Sequence, residues 1–146
     1  MEILEVLDEK CMPHRGTKYS ACIDLKSREN IVIPPKTTKI IPLGVKLNIN
    51  TSKFGDYFLE THYLELNLRS SMAVKGLIIA NGIGVIDLDY PNEIGLIVYN
   101  TLDKDFNIKA GERVAQCSIK EHKSYMFGIK SDDIREGGFG STNKKD

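Results

Sequence analysis

No stretch of this chain sustains the 3.6-residue apolar period of a long amphipathic helix. Short apolar runs follow one another instead, each closed by turn residues. Ala21–Lys26, Ile31–Ile33, Lys39–Leu47, Tyr57–Leu68, Leu77–Ala80, Ile94–Asn100 and Arg113–Ile119 read as strands. Pro34-Pro35, Asn48–Ser52, Asn81–Gly84, Pro91-Asn92 and Lys109-Ala110-Gly111 read as the turns between them. Leu64, Leu66 and Leu68 alternate with Glu65, Asn67 and Arg69, the period of a half-buried strand. Ile94–Tyr99 is apolar on both faces and reads as a central strand. The one short helix expected is Ser70–Lys75, with Ser70 or Ser71 as its N-cap. Many short strands joined by turns imply an all-β sandwich, jelly roll or barrel.

With 146 residues and an ordinary apolar content, the chain can bury a substantial core. Its formal net charge is zero, which argues against a protein that coats nucleic acid. A small anionic ligand needs only a few local arginines and stays possible. The three cysteines, Cys11, Cys22 and Cys117, are far apart with no CxxC pair, so neither a disulfide framework nor a zinc site is expected. His14, His62 and His122 are equally scattered. No secretory signal and no membrane-spanning run is read, so the expectation is a soluble protein of a reducing interior, not secreted and without a membrane partner.

Four pieces of the body can carry chemistry. Gly84–Tyr90 lies between the turn signals Asn81-Gly82 and Pro91-Asn92 and reads as a hairpin with Asp87 and Asp89 on one face. A carboxylate fixed there can act as a general base toward a water, or can simply face solvent. Arg69-Ser70-Ser71 ends a strand and opens the short helix, a combination suited to phosphate, or to an ordinary cap. Gly111–Gln116 runs from a turn into a strand. Asp24 stands inside the apolar strand Ala21–Leu25, where it needs a partner, either structural or a hydrated metal ion.

From about Ser131 the composition changes. The chain divides into a β core over 1–130 and a flexible lid over 131–146. Arg135-Glu136-Gly137-Gly138-Phe139-Gly140-Ser141-Thr142 sets one ring among glycines, after an arginine and before two hydroxyls. Glycine N–H groups and the hydroxyls can donate to phosphate oxygens, and the ring can stack on a base. The plain alternative is a polar tail bearing a single Phe.

Taken in order, these pieces resemble the five motifs of the trimeric dUTP pyrophosphatases (dUTPases): A-G-x-D-L, R-S-S/G, G-x-I-D-x-D-Y, G-[DE]-R-[IV]-A-Q and G-G-F-G-S-T. Here they read Ala21–Leu25, Arg69–Ala73, Gly84–Tyr90, Gly111–Gln116 and Gly137–Thr142. The resemblance implies a jelly-roll (β-clip) homotrimer with active sites between subunits. It implies hydrolysis of dUTP to dUMP and pyrophosphate with magnesium, which limits uracil entry into DNA and supplies dUMP for thymidylate synthesis. It implies a cytoplasmic enzyme, or one of the nucleus or host-cell interior if viral, with no direct nucleic-acid partner.

The same likeness implies roles for residues. Asp87 would deprotonate a water for in-line attack on the α-phosphorus. Tyr90 would pack under the deoxyribose and exclude a 2′-hydroxyl. The backbone from Asn81 through Val85 and Ile86 to Asp87, with Gly95, would read uracil. Arg69, Ser70, Ser71 and Gln116 would cradle phosphates, and Asp24 would hold hydrated magnesium through water. Phe139 would stack on uracil, with Gly140, Ser141 and Thr142 on the phosphates and Arg135 on the γ-phosphate.

The chain departs from the family pattern at four places. Cys22 replaces the usual glycine of the first motif. Pro91-Asn92 follows Tyr90 where arginine and glycine are usual, and Leu68 stands where proline is common. Only Glu136 separates Arg135 from Gly137, where two residues are normal. The stretch around Phe54–His62 reads as a surface extension of a hairpin. A dCTP deaminase of the same fold would need a glutamate that Ile94–Tyr99 does not offer. A trimeric interaction protein that binds nucleotide for regulation is the reading from another class.

Overall fold

Leu64 and Leu66 point inward at 2% and 1% exposure, and their neighbours do not, so the alternation read from the sequence sets the inner face of its sheet. The computed structural model describes residues 3–49 and 51–135. Its strands are β1 Leu4–Val6, β2 Ile23–Lys26, β3 Ile31–Ile33, β4 Thr38–Leu47 and β5 His62–Leu68. They continue as β6 Leu77–Ile79, β7 Gly84–Asp87, β8 Glu93–Asn100, β9 Phe106–Ile108 and β10 Arg113–Glu121. Two helices, α1 Thr51–Thr61 and α2 Ser70–Val74, flank β5. No helix among the described residues is long and apolar enough to cross a membrane.

One sheet has the order β1-β4-β8-β6, a second β2-β10-β5-β7, and β3 pairs with β9. Every pairing is antiparallel. Leu25, Ile41, Leu43, Leu66, Leu96, Val98 and Val114 belong to one buried cluster, so both larger sheets share a core. This is the β-clip, jelly-roll-like architecture expected. β8 lies between β4 and β6, the central place its apolar faces imply.

Two features of the fold bear on the site. β4 is irregular between Pro42 and Lys46. Gly44 there has φ +65, and a Cβ on it would meet Cys11 Sγ at 2.5 Å. Pro42 on β4 is the partner of Gly95 on β8, and its carbonyl accepts from the Arg28 N–H outside that ladder. On the opposite sheet β7 pairs with β5, setting Asp87 against Tyr63 and Gly84 against Leu66. A Cβ on Gly84 would come within 2.9 Å of Leu66 Cβ, so the hairpin reaches this close to β5 only because residue 84 lacks a side chain.

Residues 57–61, read as strand, are helical. Phe54, Phe58 and His62 recur every four residues, and their rings stack at centroid distances of 5.0 and 4.7 Å. The Thr61 hydroxyl donates to the Tyr57 carbonyl, one turn back. Gly55, at φ 77 and ψ 168, breaks α1 into two helical pieces. β1 and β9 are three residues each, too short to show a period in the sequence. The N-cap of α2 is Arg69, with no side-chain cap bond, rather than Ser70 or Ser71.

Candidate active site

The hairpin and β8 meet around a cavity of about 190 Å³. Asn81, Val85, Ile86, Asp87, Tyr90, Gly95 and Arg135 line it, residues expected at one site from four separate places in the chain. Leu66, Ile79 and Ile97 complete its apolar floor. Sequence reasoning did not find these three, because they are ordinary strand apolars until the sheets come together.

Local chemistry explains the placement. Gly82 takes φ +78, and the Ile83 N–H donates to the Asn81 carbonyl, so Asn81-Gly82 forms the turn that brings β7 back. A second turn, closed by the Tyr90 N–H donating to the Asp87 carbonyl, carries Tyr90 inward from Asp87. Tyr90 is 6% exposed, and its hydroxyl donates to the Glu93 carbonyl at 3.3 Å. Burial pushes its phenol pKa up, while the nearby Arg135 charge acts the other way. Glu93 in turn pairs with Arg28. The side chain of Asp87 stays 57% exposed, open to water from the cavity mouth.

Arg135 lies against the hairpin of its own chain. Its Nη1 is 2.8 Å from Asp87 Oδ2 and 4.0 Å from Asp89 Oδ1, and its Cζ is 5.4 Å from the Tyr90 ring centroid. Phe139, Gly140, Ser141 and Thr142 lie outside the described residues.

A second group forms where β2, β5 and β10 adjoin. Asp24 is 7% exposed, and its partner is structural: Arg69 Nε lies 3.2 Å from Oδ1 and Arg113 Nη1 3.2 Å from Oδ2. Arg69 also donates to Ser71 Oγ at 3.4 Å. Gln116 sits beside Asp24 in the β2–β10 register and beside Asn67 in the β5–β10 register. Arg69, Ser71, Asp24 and Gln116 are thus neighbours, with Ser70 next in the chain. Among the described residues none of them lines the hairpin cavity. Arg113 was not expected here. Its signal was its place in Gly111–Gln116, three residues before Gln116.

No group of three or more His, Cys, Asp or Glu side chains among the described residues is placed to hold a metal ion. Magnesium needs no such cage, since it keeps several waters and takes ligands from nucleotide phosphates. A carboxylate has about four lone-pair sites. Asp24 gives one oxygen to each arginine and retains capacity for a water, so it fits an outer-sphere place beside hydrated magnesium.

The body is thus a β-clip of the jelly-roll class that carries an acid-bearing hairpin cavity and, apart from it, a cluster of arginine and hydroxyl groups. The chain belongs to the dUTPase family, whose sequence profile matches residues 8–143. It is 33% identical over 134 residues to the deoxyuridine 5'-triphosphate nucleotidohydrolase of avian adenovirus 8, covering 89% of this chain and 76% of that protein. The nucleotidohydrolase of Rickettsia prowazekii is 32% identical over 155 residues, covering 97% of this chain and 99% of that one. Among solved structures, the dUTPase of Streptococcus mutans superposes with a TM-score of 0.69 at 31% identity, covering 81% of this chain and 94% of that one.

Proposed function

We propose that this enzyme hydrolyses dUTP to dUMP and pyrophosphate with Asp87 as general base. The observation that carries this reading is the convergence of Asp87, Tyr90, Gly95 and the Asn81–Ile86 backbone on one cavity. A fixed carboxylate at the mouth of an apolar cavity can orient a water beside a nucleotide seated within it. Asp87 takes a proton from that water as its oxygen bonds to the α-phosphorus. The bond from the α-phosphorus to the bridging oxygen breaks, and pyrophosphate leaves with the electron pair.

Uracil is read by backbone groups near Asn81–Asp87 and Gly95. The Ile97 carbonyl accepts from the Ala80 N–H on the β6 side of β8, and Gly95, two residues earlier, turns its backbone groups the same way, away from β4, which supports this. Cytosine would reverse one of those hydrogen bonds, and an unpaired buried polar group costs about 1–3 kcal/mol. The buried Tyr90 ring fills the space a 2′-hydroxyl would need.

Arg69, Ser70, Ser71 and Gln116 hold the phosphates. Bound magnesium supplies positive charge to the departing pyrophosphate, and Asp24 would hold one of its waters. The phosphate shelf and the hairpin cavity are separate groups within one chain, which supports a homotrimer whose sites combine the cavity of one chain with the shelf of another. In this reading Phe139 covers the uracil, and Gly140, Ser141 and Thr142 reach the phosphates. The test is pyrophosphate release across dUTP, dCTP, dTTP and UTP. Turnover confined to dUTP is the expected result, and ammonia release from dCTP would replace this reading with a deaminase.

A further inference from the structure

Tyr90 is anchored at its far end. The residue lines the hairpin cavity, and its hydroxyl donates to the Glu93 carbonyl at 3.3 Å. Glu93 opens β8, and Gly95, two places on, lines the same cavity. The seat of Glu93 therefore bears on where the Tyr90 ring and the start of β8 stand.

β4 supports that start poorly. Pro42 pairs with Gly95 and Lys46 with Glu93, so four steps along β4 face two along β8. A bulge of this kind leaves residues without ladder partners and lets a strand bend. Arg28 bridges it. Its N–H donates to the Pro42 carbonyl on one side of the bulge, and its Nη1 pairs with the Glu93 carboxylate on the other. Its Nε is 3.8 Å from Asp8 Oδ2, and the other oxygen of Asp8 accepts from the Lys10 N–H. The guanidinium thus sits between two acids from distant parts of the chain. The side chains of Arg28 and Glu93 are 38% and 22% exposed, so water screens their pair only in part. Neither residue lines the hairpin cavity.

We infer that Arg28 is a positioning residue for sugar selection: through Glu93 it clamps the start of β8 across the β4 bulge, and so fixes the carbonyl that anchors the Tyr90 hydroxyl. Exclusion by contact is steep in distance. A small drift of the ring relaxes selection against ribose before it disturbs the phosphates, which other residues hold. The inference rests on the reading of Tyr90 as the surface that excludes a 2′-hydroxyl.

The test is the ratio of kcat/KM for dUTP to that for UTP, measured with both nucleotides competing for the full chain. Loss of folded enzyme lowers both rates alike and cancels in this ratio, so a purely structural effect leaves it unmoved. Arg28→Ala should lower the ratio about two- to fivefold, the range of a partly screened ion pair. Glu93→Gln keeps the backbone carbonyl and should lower it by a similar factor. The double variant should fall no further than either single, because one pair is lost once. Arg28→Lys keeps a cation and should fall less than Arg28→Ala. Both nucleotides carry the same charge, so salt acts on their phosphates equally. Raising salt should therefore lower the ratio in the wild type and leave it unchanged in Arg28→Ala.

A ratio unmoved in Arg28→Ala and Glu93→Gln, or losses that add fully in the double variant, overturns the clamp while leaving the nucleotide site standing. A wild type that turns over UTP as readily as dUTP refutes the reading of Tyr90, and the clamp falls with it.

Discussion

Arg69 Nε lies 3.2 Å from Oδ1 of the nearly buried Asp24, which ties the start of α2 to β2. The other oxygen of Asp24 holds Arg113 at the same distance. One carboxylate thus fixes two guanidinium groups, and one of them belongs to the proposed phosphate shelf. Asp24→Ala removes the anchor of both. Its expected effect is a loss of stability of about 1–3 kcal/mol, because the arginines lose a charge-assisted partner. The KM for dUTP should rise more than kcat falls, and thermal melting with steady-state kinetics checks both. Unchanged KM would dissociate Asp24 from the shelf.

Gly84→Ala should damage the hairpin without touching an acid or an arginine. The new Cβ would sit 2.9 Å from Leu66 Cβ, inside ordinary contact. Overpacking of this kind costs about 1–3 kcal/mol and displaces one of the two strands. Since Gly84 lines the cavity, the variant should melt earlier and bind dUTP more weakly. A crystal structure showing β7 unmoved would contradict the argument.

Asn100 is fully buried and serves as a junction. The two N–H groups of its Nδ2 donate to the carbonyls of Ile33 and Lys104, with the Pro34 carbonyl sharing one of them at 3.3 Å, and its Oδ1 accepts from the Leu102 N–H. Asn100→Ala leaves those groups without a partner, at a cost of about 2–4 kcal/mol. For a chain of this size that is roughly 5–15 °C in melting temperature. Activity per folded molecule should hold, since Asn100 lies outside the cavity lining.

The cysteines give a test of packing. Burial raises the thiol pKa of Cys11 and pushes that of Cys117 up to about 12. A raised pKa means less thiolate at any given pH, and thiolate is the reactive form. At pH 8 the native protein should label at Cys22, with Cys11 and Cys117 reacting only after denaturation. The sign also predicts an alkaline weakness. Folding holds the Cys117 proton that the unfolded chain releases near pH 9, so stability falls as pH rises from there toward 12.

Periodicity carried most of the fold. Leu64 and Leu66 on β5 were readable because one buried face forces a period of two, and Ile94–Tyr99 on β8 because a strand covered on both sides is apolar throughout. The hairpin was readable because Asn-Gly and Pro-Asn demand turns. The helix α1 was misread because Tyr57, Phe58 and Thr61 favour strands locally, while the opposing four-residue aromatic spacing is interrupted at Gly55. The cavity's polar members could be listed from motif order, but its apolar floor could not, since Leu66, Ile79 and Ile97 look like any core residues. Asp24 in an apolar strand signalled a partner, but the sequence named neither arginine as the partner of its acid. Asp24 and Arg113 are 89 residues apart, and Asp87 and Arg135 are 48 apart, so only the folded sheets bring them together.

The role of Asp87 is tested most directly by hydrolysing dUTP in ¹⁸O-labelled water. Attack at the α-phosphorus by a water that Asp87 deprotonates puts the label in dUMP and leaves pyrophosphate unlabelled. Asp87→Asn should still bind the imido analogue while turnover falls by about 10²–10⁴-fold. Label in pyrophosphate, or wild-type turnover in Asp87→Asn, would contradict the account.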